Sequence, residues 1–208
     1  CGVTSGPARN RVTPRGDIIA VAGRGGWMGN RGRLHEGRGT RDIVRNHQTE
    51  AWITCVLEFK NRRGPQWVPN HYTQLFFLDE AVAFAAGHRP CAECRRSDYN
   101  AYRQAWSETH GGTTPYAKDM DGRLHCERTD RSEYLLPWSS LADGVFVTTD
   151  NGPAVVVGDH LAVWDETDNA YRRRLPRPIA GSASVLTPPS TVAVLRAGYP
   201  VQIDPAAR

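Results

Sequence analysis

The stretch LFFLDEAVAFAAGHRPCAECR, Leu75–Arg95, sets the expected fold of the chain. Its apolar start completes a strand predicted over Tyr72–Leu78, because a short β-branched and aromatic run is typical of strands. Asp79 is a residue type that caps helix N-termini, and Gly87 is the type that ends helices in a left-handed conformation. The pattern therefore predicts a short helix over Glu80–Ala86 between strand and loop.

The same stretch ends in two cysteines, Cys91 and Cys94, separated by two residues. This spacing lets two thiolates reach one tetrahedral metal ion across a tight turn. A redox pair of the thioredoxin type would follow a strand in a βαβ unit, whereas this pair follows a helix. Arg89, Arg95 and Arg96 flank the pair and favour thiolate over thiol. The pattern favours half of a zinc site, with a redox pair or no metal as alternatives.

Further ligands must come from elsewhere in the chain. Cys55 lies in a run that reads as a strand, where a buried cysteine is usually only a small hydrophobe. His71 and His88 are nearer to the pair in sequence, and His35 lies in the N-terminal arm. The cysteine count is odd, and no N-terminal stretch of the sequence shows the apolar core of a signal peptide, so we expect a reducing, cytoplasmic compartment rather than a disulfide framework.

Arginine dominates the basic residues. The 208-residue chain has a net charge of +4, and only Lys60 and Lys118 among its 26 basic residues are lysine. Nine arginines against three acidic residues give the segment Cys1–Gln48 a local charge of +6. Such an arm can contact nucleic acid, although a solvated loop and a genome-wide arginine bias explain it too. No apolar run approaches the roughly 20 residues of a membrane span.

The overall pattern predicts an α+β protein in two parts. Residues 1–136 would form a zinc-containing α+β domain with a basic N-terminal arm. Residues 137–208 would begin with a linker over Pro137–Asp143 and form a small all-β, barrel-like module ending in a short helix. The module prediction depends on a hairpin signal at Asp150-Asn151-Gly152 between two β-branched runs.

The segment Leu75–Arg95 resembles the N-terminal metal-binding domain of Ada-type DNA alkylation-response proteins. The shared order is a strand ending in two phenylalanines, an Ala-rich helix, a Gly-aromatic-Arg-Pro step and a C-x2-C pair, with His88 at the aromatic position. The likeness extends over roughly Thr40–Arg96, where Cys55 matches the first cysteine of the family's upstream C-x3-C pair and Phe59 stands at the second.

The resemblance implies a zinc site that faces DNA, with Cys55, Cys91 and Cys94 as ligands. In that family one zinc-bound thiolate accepts a methyl group from a phosphotriester. A histidine as fourth ligand would give a Cys3His set, which is typical of structural zinc, and we favour His71 over His35 and His88. A neutral imidazole lowers the negative charge of the site, so the resemblance favours structural zinc over a consumed thiolate.

These observations predict a zinc protein that binds nucleic acid, with DNA favoured. Zinc would hold the cysteine loop beside a helix N-terminus, where backbone N–H groups favour phosphate. Five arginines are the expected contacts, with Arg24 extending the footprint: Arg89, Arg95, Arg96, Arg31 and Arg33. The whole chain also resembles a group of uncharacterised bacterial proteins that share GHRPCxxCRR and LTPPSTV, which implies no function.

Two alternatives come from other parts of the chain. A metal-dependent hydrolase or other enzyme could use Asp119, Asp121, His125 and Glu127, perhaps joined by His35, because carboxylates and histidine serve as acid, base or metal ligands. Convergence of these side chains in a cleft would favour it, and dispersal would reject it. The third possibility is a zinc-stabilised adaptor whose β module binds a protein.

Overall fold

The computed structural model describes residues 6–36, 41–61, 64–130 and 134–208. Cys1 lies outside these residues, as do Thr40, where the likeness to Ada-type domains begins, and Arg38 of the basic arm. The described chain is an α+β protein in which two six-stranded sheets are combined with four α-helices. This agrees with the fold class predicted from the sequence.

The N-terminal part contains one of the two sheets and three helices. Its elements are β1 (Arg9–Val12), β2 (Ile18–Ala20), β3 (Trp27–Asn30), β4 (Ile53–Cys55), β5 (Leu75–Phe77), α1 (Glu80–Ala85), β6 (Arg89–Pro90), α2 (Arg96–Thr109) and α3 (Ala117–Thr129). The strand order is β2-β1-β5-β3-β4-β6. The β1–β5 and β4–β6 pairs are parallel and the others antiparallel, so the sheet is mixed.

The C-terminal part contains the second sheet and the last helix. Its elements are β7 (Tyr134–Pro137), β8 (Phe146–Thr149), β9 (Gly152–Val157), β10 (His160–Asp165), β11 (Ala170–Pro176), β12 (Ser182–Val185) and α4 (Pro189–Arg196). The order is β11-β10-β9-β8-β12-β7, and every pair is antiparallel. Among the described strands nothing pairs β11 with β7, so the sheet is open and the expected barrel-like closure is wrong.

The cap residues of α1 confirm the helix predicted from Asp79 and Gly87. The Val82 N–H donates to Asp79 Oδ1 at 2.8 Å, which satisfies one of the free donors of the first turn. Gly87 has a φ of +81°, which side chains adopt only with strain. A Cβ at this glycine would also lie 2.8 Å from Arg128 Cδ on α3. Glycine is therefore required both by the turn and by the close approach of an arginine.

Strands β8 and β9 are buried on both faces. Val147 and Val156 pack with α2 and α4, whereas Phe146 and Val155 pack with β5 and α1. Because neighbouring residues of a strand point to opposite faces, the C-terminal sheet contributes alternately to two apolar clusters. Each cluster also contains residues from the N-terminal part, so both halves of the chain share the same core.

Two segments differ from the expectation at the junction of the halves. The predicted linker over Pro137–Asp143 includes a 3₁₀ turn, Trp138–Ser140, in which Trp138 is buried. The polar segment that suggested a catalytic centre is α3, which buries Met120 and Leu124. The chain between the halves is therefore packed against the core.

Candidate metal centre

Strand pairing brings Cys55 and Cys91 side by side. Cys55 ends β4, and the short strand β6 runs parallel to β4, with Thr54 opposite Pro90. The Cys91 N–H continues this ladder by donating to the Thr54 carbonyl at 2.9 Å. The Arg95 N–H donates to the Cys91 carbonyl at 3.2 Å. This hydrogen bond closes the turn that brings Cys94 next to Cys55 and Cys91.

The three sulfur atoms of Cys55, Cys91 and Cys94 lie within 4.8 Å of one another. Zn–S bonds of about 2.3 Å at tetrahedral angles would separate the sulfurs by about 3.8 Å, so the cluster fits one zinc ion after small adjustments. Cys55 and Cys91 are buried and Cys94 is half-buried. The sequence prediction that these cysteines meet is confirmed, and the group could bind a metal.

The electrostatics of the cluster favour a bound cation. The thiols of Cys55 and Cys94 donate towards Cys91 Sγ, and the Glu93 N–H approaches it at 3.4 Å, so the pKa of Cys91 falls. The same interactions, together with burial, raise the pKa of Cys55 far above its ordinary value. Without a cation only one of the sulfurs ionises readily, whereas a divalent metal compensates three thiolates.

None of the three candidate histidines belongs to this sulfur group. His88 is buried, with its Nδ1–H donating to the Ala83 carbonyl and its Nε2 accepting from Arg31. His35 is buried too, and both of its ring nitrogens have protein partners. His71 is exposed, and its Nδ1 contacts the Pro69 carbonyl at 3.0 Å. The expected Cys3His set is therefore not formed in this structure.

Tyr72 is the neighbour that sequence reasoning missed. Burial of the phenol raises the pKa of Tyr72, and the negative charge of Cys55, Cys94 and Cys91 raises it further. Tyr72 is 46 % exposed, so it lies at the surface near the cluster. Nothing in the sequence marks Tyr72 apart from its position next to His71, the favoured ligand.

Three of the five arginines expected at a nucleic-acid surface lie in the interior. Arg89 forms a two-point ion pair with Asp121, and Arg95 pairs with Glu80. Arg31 donates to the Gly16 carbonyl and packs on a tryptophan ring. All three are buried, so their guanidinium groups present no surface to a phosphate. A buried arginine needs internal partners, and the sequence could not show that these partners exist.

The two remaining arginines of that set are accessible. Arg96 is exposed at the first position of α2, and half-buried Arg33 donates to Asn70 Oδ1 at 3.0 Å. Arg24, expected to extend the footprint, is also exposed. Among the described residues beside the cysteines, exposed Lys60 and Arg96 are accompanied by exposed Glu58 and Glu93. The positive surface beside the cluster is smaller than the sequence suggested.

The side chains of the alternative catalytic cluster do not converge. Asp119 accepts from the Tyr116 N–H and caps α3, while Asp121 is buried against Arg89. His125 contacts Arg128, and Glu127 accepts from the N–H and hydroxyl of Ser190. The cysteine triad is the one candidate metal group among the described residues. By the criterion of convergence, the structure gives no support to a hydrolase centre at residues 119–127.

Comparison of the chain with family models, with curated proteins and with solved structures found no match. Among the described residues, no helix is long and apolar enough to cross a membrane.

Proposed function

We propose that this protein is a zinc protein in which Cys55, Cys91 and Cys94 bind one Zn²⁺ as thiolates. The single observation that carries the proposal is the meeting of three sulfurs within 4.8 Å. Tetrahedral N/S sites are typical of zinc, and thiolate-rich sets favour it over harder cations such as Mg²⁺ and Ca²⁺. The donor set thus fits zinc better than the other common divalent ions.

Zinc would act here mainly by joining elements. Cys55 ends β4 and Cys94 precedes α2, so one ion would join the mixed sheet to the longest described helix. Metal binding of this kind contributes directly to folding free energy. With three protein ligands, the fourth position would be left to a water molecule or another small ligand, and Tyr72 lies near the three cysteines. The likeness to Ada-type domains belongs to this proposal. In this chain Phe59 stands where that family has the second cysteine of its upstream pair.

Metal content of the purified protein tests the proposal. We expect one zinc per chain in the wild type and none when Cys91 and Cys94 are both replaced by Ser. Cys126→Ser is the matched control, because Cys126 is exposed on α3 and is not part of the sulfur group. A folded wild type without metal, or equal loss of zinc in the Cys126 variant, would refute the zinc site.

Nucleic-acid binding is a second part of the proposal, carried now by Arg96. Arg96 is the first residue of the 14-residue helix α2, two residues after Cys94, and its side chain is exposed. The first turn of a helix has free N–H groups that favour phosphate. Arg33 and Arg24 would extend this contact. The buried Arg89, Arg95 and Arg31 would stabilise the fold without contacting the nucleic acid.

A further inference from the structure

A second candidate site lies at the other end of β4. A cleft of about 710 Å³ opens where the two halves of the chain meet. Its walls come from the turn after β1, the residue before β4, the C-terminal ends of α1 and α3, and the start of α4. Clefts of this size at such junctions are typical of small-molecule sites. Trp52 lines the cleft, three residues before the metal ligand Cys55.

Arginine side chains converge on this cleft. Arg15, Arg31 and Arg128 all line it, although Arg31 is buried and bonded to internal partners, which leaves Arg15 and Arg128 for a ligand. The guanidinium groups of Arg31 and Arg128 each lie 3.9 Å from the Trp52 ring, which holds both in place by cation–π contact. Arg15 is exposed at the rim, where Nη2 reaches Thr148 Oγ1 only at 3.4 Å.

Arg128 has an unusual set of partners. It donates to the Gly87 and Glu50 carbonyls and to His125 Nδ1, while its Nε is buried without a hydrogen-bond partner. Within the described part of the chain, Arg128 forms no ion pair, in contrast to Arg89 and Arg95, and the carboxylates of Asp121 and Glu50 act on it only from beyond ion-pair distance. Burial lowers the pKa of Arg128 to about 10, so it remains a cation at neutral pH. Partly buried cations without a carboxylate are costly unless an anion neutralises them.

The carboxylates of the cleft are engaged elsewhere. Glu127 accepts hydrogen bonds from Ser190 and forms an ion pair with Arg123. Asp17 and Asp130 also have interactions of their own. His47 also lines the cleft, and its pKa is lowered because of partial burial and because His125 and Arg128 are close. A neutral His47 can donate a hydrogen bond to an anion without adding a charge.

Part of the lining of the cleft is apolar. It includes Pro14, Ala86, Leu186, Pro188 and Pro189. A free inorganic anion would leave this apolar lining in contact with water, whereas a ring or short chain would cover it. We propose that the cleft binds a small organic anion, whose phosphate or carboxylate group contacts Arg128 and Arg15 while its apolar body lies against Pro188 and Pro189.

Cys126 offers a direct readout, because it is exposed on the wall of the cleft. Its alkylation by iodoacetamide, followed on the Cys126 peptide by mass spectrometry, is measured with phenyl phosphate, benzoate or phenol present. We expect at least one of the two anions to slow the reaction and phenol to have no effect. The anion that protects better distinguishes a phosphate from a carboxylate ligand.

Arginine variants test whether the arginines of the cleft bind the protecting anion. Arg128→Gln should raise the concentration of anion needed for half-protection by about tenfold, the usual effect of losing one charge-assisted hydrogen bond. Arg172→Gln is the control: it removes the same charge from the exposed edge strand β11 and should change nothing. Protection is compared within each variant, so that a change in the basal reactivity of Cys126 does not matter.

The results that overturn the proposal are equally definite. They are no protection by either anion, equal protection by phenol, or the same half-protection in wild type and Arg128→Gln. If Arg128→Gln does not fold, Arg15→Gln replaces it, because Arg15 is exposed and its removal leaves the core intact. Unchanged protection in a folded Arg15→Gln protein would then reject the site. Metal analysis tests the zinc site independently of Cys126 protection, so either proposal can fail while the other stands.

Discussion

The guanidinium of Arg89 and the carboxylate of Asp121 form a two-point ion pair, with Nε–Oδ1 at 2.7 Å and Nη2–Oδ2 at 2.8 Å. Both side chains are buried, and they join the cysteine loop to α3. The sequence predicts that Arg89 binds phosphate and, in the alternative interpretation, that Asp121 is catalytic. Their pairing instead makes both residues part of the structural support of the cysteine cluster.

Breaking this pair should destabilise the fold strongly. Asp121→Asn leaves a buried arginine without its counter-charge, and we expect a loss of about 3–5 kcal/mol in the free energy of unfolding. Arg96→Gln is the matched control, because its exposed guanidinium should contribute within about 0.5 kcal/mol. Urea unfolding of zinc-loaded protein measures both. Equal costs for the two variants would show that the Arg89–Asp121 pair does not support the fold.

Asp79 should make stability depend on pH. Burial raises the pKa of Asp79 to about 6, although N–H groups of Asp204 and Val82 and the Tyr171 hydroxyl donate to its carboxylate. The folded-state pKa lies above the ordinary value of 3.8, so folding favours the protonated form. The stabilisation is complete below about pH 4 and is lost as the pH rises through about 6.

The comparison of wild type with Asp79→Asn isolates this effect. Between pH 4 and pH 7 we expect wild type to lose up to about 3 kcal/mol relative to the variant. The pH dependence of zinc binding is common to both proteins and cancels in the difference. Hydrogen bonds lost by Asn add a constant that does not vary with pH. A difference that stays flat across this range would contradict the raised pKa.

Gly87 should tolerate alanine worse than Gly198 does. Both glycines follow a helix and have positive φ, +81° and +95°. A Cβ at Gly198 meets nothing within 4 Å, so Gly198→Ala should cost about 1–2 kcal/mol of backbone strain. A Cβ at Gly87 must also displace the Arg128 side chain. We expect Gly87→Ala to exceed the Gly198 cost in thermal unfolding, and equal shifts in Tm would show that Arg128 adapts freely.

Nucleic-acid binding should depend on salt and on Arg96. With double-stranded DNA as the probe, log K should fall linearly with log salt concentration. Arg96→Gln should reduce the magnitude of this slope by about one, and Arg172→Gln should not change it. Absence of binding at low salt, or identical slopes for wild type and Arg96→Gln, would remove Arg96 from the account.

Local patterns predicted local structure well. Asp79 and Gly87 marked the two ends of α1. The Asp150–Gly152 signal marked the hairpin of β8 and β9. In each case neighbouring residues carry the information.

Features that depend on distant partners could not be predicted in the same way. The α3 helix buries few apolar residues and contains Asp121-Gly122, which reads as a turn. The burial of Arg89 depends on a carboxylate 32 residues away. Nor does the sequence show that β8 and β9 are covered on both faces, so it could not reveal that the two halves share a core.

Zinc K-edge X-ray absorption of the purified protein tests the central claim most directly, because it counts the sulfur atoms bound to the metal. The account predicts three sulfurs at about 2.3 Å and one lighter atom, supplied by Cys55, Cys91, Cys94 and a solvent or small ligand. Four sulfurs would contradict the open fourth position. Two sulfurs or none would contradict the three-thiolate centre itself.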